Sequence, residues 1–439
     1  MPKQVSFLQK LAKKEPDYVN TEYVYPCKVK EVIYKAPLCE KDSHVFSFVQ
    51  NHLKTIVTPH GYKALTKKSA TELVDVLQSL YENGRVLESK DTITIDGKQY
   101  MMTMKGIWST NYCRTTWAIN PFNARSWHVQ DPIEKKRLKL FPFVDNAWIL
   151  PLKSAMIEKD ISLWLESLDV DTEKVLAIHT LEDLMWPHGE YIPVSQLVKD
   201  KVIRGRLDPC IISRLQKTNI RLLDIFMMKE YDKKYLIKPT IKEILRTAKE
   251  HRWVEDINSY LCMLIEKIVH NRLTLSQYCH TINGDFWADI SRNITCLAEE
   301  VDLVTIEKRE YINSNPLSFC ENYKKQMILL MNGICNFISV IEQEWWYKID
   351  HQLIADSIRK AVKSYIINNE EQLKKLFIHQ KRYSRYNYIS WSKKKKPNDV
   401  TFISFKNTLI KNIFWFISEY TTSLWYTKIL KERLSFLED

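Results

Sequence analysis

The chain has 439 residues and a formal net charge of +12, and 45% of its residues are hydrophobic. This composition is typical of a folded chain with roughly two or three domains and excludes an intrinsically disordered protein. Only eight residues are glycine, and they are too widely spaced to form the glycine-rich loops of Rossmann folds, P-loop nucleotidases, protein kinases or α/β-hydrolases. Enzymes that depend on those loops are therefore excluded.

The cysteines and the apolar stretches indicate where the protein acts. Nine cysteines are scattered without a CxxC pair, which favours reduced thiols in the cytoplasm or nucleus. Lysines interrupt every hydrophobic cluster in residues 1–18, so we expect no secretory signal. The longest uncharged stretch, residues 326–341, has 16 residues and is shorter than the roughly 20 apolar residues of a spanning helix. We therefore expect a cytoplasmic or nuclear protein that is not secreted and has no membrane span.

The first 106 residues predict helices followed by a β-hairpin. We expect an N-terminal arm over residues 1–42 and a helix-helix-hairpin module over residues 43–106. Its first helix is predicted at residues 43–57, and a capping box at residues 69–72 starts a second helix that ends at Asn83-Gly84.

The hairpin of this module is predicted around Asp96-Gly97, because that dipeptide favours the positive φ angles of a type I′ turn. The order of parts resembles a winged helix, in which one helix enters the major groove of DNA. The alternative is a purely structural unit.

Proline and glycine divide the rest of the chain. Residues 107–239 alternate apolar clusters with prolines, and we expect short helices and irregular connections there. Residues 240–439 contain only two prolines and two glycines, which predicts long helices. Apolar residues recur at helical spacing within residues 254–268 and 353–366. The predicted fold class is therefore mainly α, with a mixed α+β N-terminal half followed by a multi-helix bundle.

The most informative segment, residues 374–396, lies within this predicted helical domain. It contains nine Lys or Arg and no Asp or Glu, interleaved with five aromatic residues. Cations neutralise phosphates and release counterions, whereas aromatic rings stack on unpaired bases. The segment therefore predicts contact with single-stranded RNA or DNA. The alternatives are a solvated, lysine-rich loop between helices and a nuclear-import signal at residues 393–397.

The residues predicted to bind nucleic acid are Lys374, Lys375, Lys381, Arg382, Arg385, Tyr386, Trp391, Lys393, Lys394, Lys395 and Lys396. We expect a non-enzymatic nucleic-acid-binding protein that serves packaging, replication or transcription. The alternative is a host-directed or complex-forming protein-interaction factor, whose basic patch meets an acidic protein or an anionic membrane surface. Thirteen tryptophans favour a protein partner on an aromatic-rich surface.

Two groups of residues in the predicted helical domain have the types that catalysis or metal binding requires. Cys262, Glu266 and His270 are four residues apart and share one face of a predicted helix. No HExxH motif or paired CxxC accompanies them. Arg246 and His251 have the RxxxxH spacing that resembles the signature of helical HEPN ribonucleases, although about one such pair is expected by chance. A helical ribonuclease is therefore a second alternative.

Two acidic motifs were weighed as metal or nuclease sites. Asp169-x-Asp171-x-Glu173 resembles a metal-binding cluster, but it lacks the glycine of an EF-hand loop and fits a helix start equally well. Asp96-x-Lys98 matches part of a PD-(D/E)xK nuclease motif, which the predicted hairpin turn explains. We therefore predict no catalytic residue, no metal site and no cofactor.

Overall fold

The computed structural model of the chain describes residues 24–25, 28–53, 56–57, 76–78, 86–106, 150–185, 191–199, 208–222, 224–225, 234–252, 254–281, 293–301, 303, 306–308, 334, 337–343, 348–371 and 374. They belong to two compact units. Unit 1 comprises residues 1–164 and 172–219, and unit 2 comprises residues 165–171 and 220–439. Each unit is described by itself below.

The described residues of unit 1 form an antiparallel sheet and four helices. Its elements are β1 (Val24–Tyr25), β2 (Val29–Lys35), α1 (Pro37–Lys41), α2 (Ser43–Leu53), β3 (Ile56–Val57), β4 (Val76–Gln78), β5 (Val86–Ile95), β6 (Lys98–Lys105), β7 (Leu150–Pro151), α3 (Leu152–Ser167), β8 (Lys174–Leu181), β9 (Asp183–Met185), β10 (Tyr191–Pro193), α4 (Val194–Lys199) and β11 (Pro209–Gln216). The main sheet has seven strands in the order β2-β8-β11-β6-β5-β4, with β7 paired to one end of β11. Strand β1 pairs with β3, and β9 pairs with β10.

Helices pack against both sides of the sheet. Successive side chains of a strand point to opposite faces, so one strand can contribute to both apolar clusters. In β6, Met102 and Met104 pack with Val45 and Val49 of α2 in one apolar cluster. On the opposite side, Cys210 and Ile212 of β11 pack with Ala155 of α3. All eight residues of β11 are buried, so this strand forms the centre of unit 1.

The predicted hairpin is confirmed. Strands β5 and β6 pair in antiparallel register from Ile95 opposite Lys98. Asp96 and Gly97 form the turn with φ angles of 50° and 75°, as a type I′ turn requires. The turn accounts for the Asp96-x-Lys98 pattern without a nuclease site.

The second predicted helix of the helix-helix-hairpin module is wrong where the structure describes it. Residues Val76–Gln78 form strand β4, which pairs with β5, while the capping box at residues 69–72 lies outside the described residues. The first helix ends at Leu53, before β3. Tertiary pairing overrides the local helical spacing, since apolar residues of this kind serve in either element. Within residues 1–42, assigned to an arm, the structure contains β2 and α1.

The predicted fold class, mainly α, is wrong, because the described residues combine helices with the large antiparallel sheet. The two central strands, β8 and β11, come from residues 107–239, where we expected short helices and irregular connections. Both strands are buried almost throughout. A short apolar run of this kind has no alternation that distinguishes a strand from a buried helix. The sheet was therefore missed in the region that supplies its centre.

In the described part of unit 2, three long helices and a short strand pair have defined bounds. Its elements are α5 (Lys234–Arg252), α6 (Ile257–Tyr278), β12 (Cys279–Thr281), β13 (Glu307–Lys308) and α7 (His351–Asn368). The two apolar stripes read from the sequence lie on α6 and α7, which pack against each other. Helix α7 begins at Asp350, whose side chain accepts a hydrogen bond from the Leu353 amide at 2.9 Å. The domain boundary predicted at residues 239 and 240 lies inside α5.

The predicted multi-helix bundle of residues 240–439 is also wrong. Within the described part of unit 2, residues 293–301 are buried but not helical, and Ile294 forms a β-bridge to Glu300. Ala298 makes the turn between them with a φ angle of 64°, a conformation that usually takes glycine. Scarcity of glycine and proline therefore did not require helix here. Among the described residues, no helix combines the length and the apolar character needed to cross a membrane.

Candidate nucleic-acid interface

The structure describes the first residue of the basic segment. The Lys374 ammonium lies 2.7 Å from the Glu371 carboxylate and 3.8 Å from that of Glu370, shortly after the end of α7. The hydrogen bond to Glu371 raises the pKa of Lys374. Acidic residues at the helix end thus balance the charge of Lys374. The other predicted contacts lie outside the described residues: Lys375, Lys381, Arg382, Arg385, Tyr386, Trp391, Lys393, Lys394, Lys395 and Lys396.

A second concentration of positive charge lies on helix α5 of unit 2. Lys238, Lys242 and Lys249 are exposed, and we call them the α5 cationic face. At 100° per residue the three side chains leave the helix within an arc of about 40°. No ion pair within 4.0 Å joins any of them to another described residue, and the charge of Asp256 lies close enough to Lys249 to interact with it. The face is therefore a narrow, accessible cationic stripe.

A separate, buried side of α5 explains why these lysines point outward. Ile237, Ile241, Ile244 and Ala248 are fully buried, as expected for an amphipathic helix packed on a core. The position of the three lysines on one face could be read from their spacing of four and seven residues. The three lysines are separated along the sequence, so they do not form a run of consecutive charge like that of residues 374–396.

The predicted HEPN-like pair is on α5, but its two members are in different environments. The Arg246 guanidinium binds the Glu243 carboxylate at 2.7 Å and the Glu250 carboxylate at 3.1 Å, and its side chain is 46% exposed. His251 is only 5% exposed. An RNA substrate would have to displace two carboxylates from Arg246 and reach a buried imidazole. The geometry therefore gives the ribonuclease alternative no support.

Cys262, Glu266 and His270 lie along the side of α6 that packs against α7. The Ser357 hydroxyl donates a hydrogen bond to the Glu266 carboxylate at 3.0 Å, and the His270 ring contacts the Tyr365 ring edge-on with centroids 5.7 Å apart. Burial raises the pKa of the Cys262 thiol and lowers the pKa of His270. A neutral thiol is a poor nucleophile, so we assign these residues to helix packing.

The acidic run from Asp169 to Glu173 is occupied by protein contacts. Asp169 has a φ angle of 57° at the end of α3, where the Val170 amide donates to the Leu165 carbonyl at 3.0 Å. This hydrogen bond, with a left-handed residue before it, is a Schellman motif. Asp171 binds Arg252 at 2.5 Å, and Glu173 binds Arg214 at 2.8 Å. Cations of the protein therefore neutralise Asp171 and Glu173, two of the three carboxylates of the predicted cluster. No group of three or more metal-ligating side chains occurs in the part of the chain that the structure describes.

A charged network lies between α3 and the sheet of unit 1. Glu158 of α3 forms an ion pair with Lys105 of β6, and Glu173 accepts hydrogen bonds from Arg214 and from Gln216 at 2.9 Å. The four side chains that form these ion pairs are each at most 6% exposed. Because a substrate cannot approach them in this conformation, we assign the network to the fold.

The α5 cationic face is thus an accessible cluster of three lysines. None of them forms an ion pair with another described residue. Neither the protein-family models nor the curated proteins with which the chain was compared match it. The functional conclusion therefore rests on the residues of this chain alone.

Proposed function

We propose that this protein binds single-stranded RNA or DNA through residues 374–396, as a non-enzymatic factor in packaging, replication or transcription. The observation that carries the proposal is the chemistry of that segment, which contains nine cationic residues, no acidic residue and five aromatic residues. Lysine and arginine contact phosphates, and aromatic side chains stack on bases, so the mixture fits a single strand better than a duplex.

Contacts within the protein hold several of the candidate catalytic groups among the described residues. The groups that could have formed a catalytic site are engaged in helix packing, in a Schellman turn or in buried ion pairs. The α5 cationic face adds exposed positive charge outside residues 374–396. The positive charge of residues 374–396 and of the α5 cationic face raises the local concentration of a polyanion.

The test separates charge from stacking in residues 374–396. One variant replaces Lys393, Lys394, Lys395 and Lys396 by Ala, and a second replaces Tyr386 and Trp391 by Leu. The lysine variant is expected to bind all sequences more weakly and to show a flatter salt dependence, by about 0.7 in slope per lost phosphate contact. The aromatic variant is expected to lose about 1 to 3 kcal/mol per unstacked base with nearly the same slope. Fluorescence anisotropy of labelled oligonucleotides at several salt concentrations measures both.

The outcomes distinguish the proposed function from its alternative. If both variants bind RNA and DNA as the parent does, residues 374–396 are a solvated linker and the proposal fails. If only the lysine variant loses affinity, and loses it equally for heparin and anionic lipid vesicles, the contact is general polyanion attraction. That result would favour the protein-interaction factor.

A further inference from the structure

We propose that the α5 cationic face is a second nucleic-acid contact, which holds the phosphate backbone without reading bases. The inference rests on the proposed function, because it assumes the same class of ligand, but it concerns a different element. Lys238, Lys242 and Lys249 are exposed on one side of α5. Their ammonium groups are donors without an acceptor role, so an anion is the ligand that suits them.

The spacing of the three lysines fits a regular array of phosphates. With a rise of about 1.5 Å per residue, Lys242 lies about 6 Å along the helix from Lys238, and Lys249 lies about 10 Å further. The stripe is thus about 16 Å long. A single strand carries one phosphate per nucleotide, so consecutive phosphates can lie along a stripe of this length.

Nearby carboxylates neutralise two other cations of α5, Arg246 and Arg252, and leave the three lysines available. Arg246 is held by Glu243 and Glu250, and Arg252 is held by Asp171 at 2.5 Å. The carboxylate of Asp256, which accepts a hydrogen bond from the Ser259 amide at 2.7 Å, is the nearby acidic group that reduces the field at Lys249. The positive field of the face is therefore strongest at Lys238 and Lys242.

A membrane surface fits this face less well than nucleic acid does. A helix that binds at a membrane interface inserts an apolar side beside its cations. The apolar side of α5 is buried within unit 2, since Ile237, Ile241 and Ile244 have no exposed surface. The face therefore offers charge without an insertable apolar surface.

The experiment uses the full-length chain with Lys238, Lys242 and Lys249 replaced by Gln. Its matched control replaces Lys30, Lys41 and Lys153, three exposed lysines of unit 1, by Gln as well. Both variants therefore lose the same net charge. Binding of a labelled oligodeoxythymidine of about 20 nucleotides, longer than one binding site of ~4–16 nucleotides, is titrated by anisotropy at several salt concentrations. The Lys393–Lys396 alanine variant is measured beside them, and circular dichroism verifies that each variant is folded.

The α5 variant is expected to bind roughly 10- to 100-fold more weakly at about 0.1 M salt, with a salt slope smaller by about 2. The control is expected to change binding by less than about 3-fold. If the Lys393–Lys396 variant weakens binding and the α5 variant does not, this inference fails while the proposed function stands. If the parent itself does not bind the oligonucleotide, both fail.

Two further outcomes would overturn the inference. One is an equal loss of affinity in the unit 1 control, which would attribute the effect to net charge. The other is an equal loss of binding to polyglutamate in the α5 variant, which would identify the face as a site for acidic protein segments rather than for nucleic acid.

Discussion

The two units bury charged groups in different ways. Unit 1 joins Lys105 to Glu158 and Arg214 to Glu173, and Arg214 also lies 3.8 Å from Glu158, so each cation has a carboxylate and the network is shared. In the described part of unit 2, the Arg272 guanidinium lies 2.8 Å from the buried Glu300 carboxylate. Pairing offsets part of the hydration that buried charges lose, and in unit 1 the Glu158 carboxylate lies beside two cations.

The buried groups also give the two units opposite responses to pH. Burial raises the pKa of Glu300 to about 7, although Arg272 opposes the shift. In unit 1, burial lowers the pKa of His179 to about 4. Both ring nitrogens of His179 lack hydrogen-bond partners among the described residues. We therefore expect Glu300 to weaken unit 2 at high pH and His179 to weaken unit 1 at low pH.

The largest expected effect comes from breaking the unit 1 network. Replacing Glu158 by Gln preserves the shape of the side chain but leaves Lys105 buried without its carboxylate. Removing one partner of a buried ion pair costs about 3–5 kcal/mol. We expect a loss of this size in the free energy of unfolding, measured by urea denaturation.

The control for this variant is Lys28→Gln in the same unit. The Lys28 ammonium lies 2.6 Å from Asp183, and the Lys28 side chain is 49% exposed. Water reaches the half-exposed Lys28, although the Asp183 side chain is only 10% exposed, so the control is expected to cost less than Glu158→Gln. A Glu158→Gln protein as stable as the control would show that the network contributes nothing special to unit 1.

The second prediction concerns the buried Arg272–Glu300 pair of unit 2. Glu300 has a higher pKa in the folded state than in the unfolded chain, so the folded state binds more protons between about pH 4.5 and about 7. Stability is therefore expected to fall as pH rises through this window, with a slope of at most about 1.4 kcal/mol per pH unit. Replacing Glu300 by Gln should remove this slope. Urea denaturation of parent and variant across the window measures it, and parallel pH profiles would contradict the assignment.

The third prediction is the opposite response in unit 1. His179 has a lower pKa in the folded state, so the unfolded chain binds more protons between about pH 6.5 and about 4. Stability is expected to fall as pH decreases through this range. His179 stacks near Phe46, with ring centroids 6.5 Å apart, so Leu is a suitable apolar replacement. The His179→Leu protein should lose less stability in acid than the parent, and an unchanged acid response would exclude His179 as its source.

The smallest expected effects concern left-handed turns. Unit 1 places glycine at such a position, Gly97, with a φ angle of 75° and no heavy atom within 4 Å of an added Cβ. Unit 2 places Asp169 at a φ angle of 57°. Because a side chain in this conformation costs roughly 1 kcal/mol, Gly97→Ala should destabilise by about that amount and Asp169→Gly should stabilise by several tenths. Thermal unfolding measures the stability of both variants. If both variants are stabilised, or both destabilised, the interpretation is wrong.

Local patterns predicted some elements of both units correctly. The Asp96-Gly97 turn and the apolar stripes of α6 and α7 depend on residues within a few positions of each other. The position of strand β4 could not be predicted this way, because its partner β5 determines its conformation. The α5 cationic face was within reach of sequence reasoning, since the helical spacing of its lysines is local.

Reading the residues in chain order was enough for the net charge, the chemistry of residues 374–396, the hairpin turn and helices α6 and α7. These features follow from residue chemistry and from short-range periodicity. Only the tertiary structure decided that β8 and β11 form the centre of a sheet, and that Glu158 meets Lys105 across 53 positions of sequence. The physical reason is that strand pairing and buried ion pairs join distant residues, so neither the partner nor the burial of a charge is encoded in its neighbours along the chain.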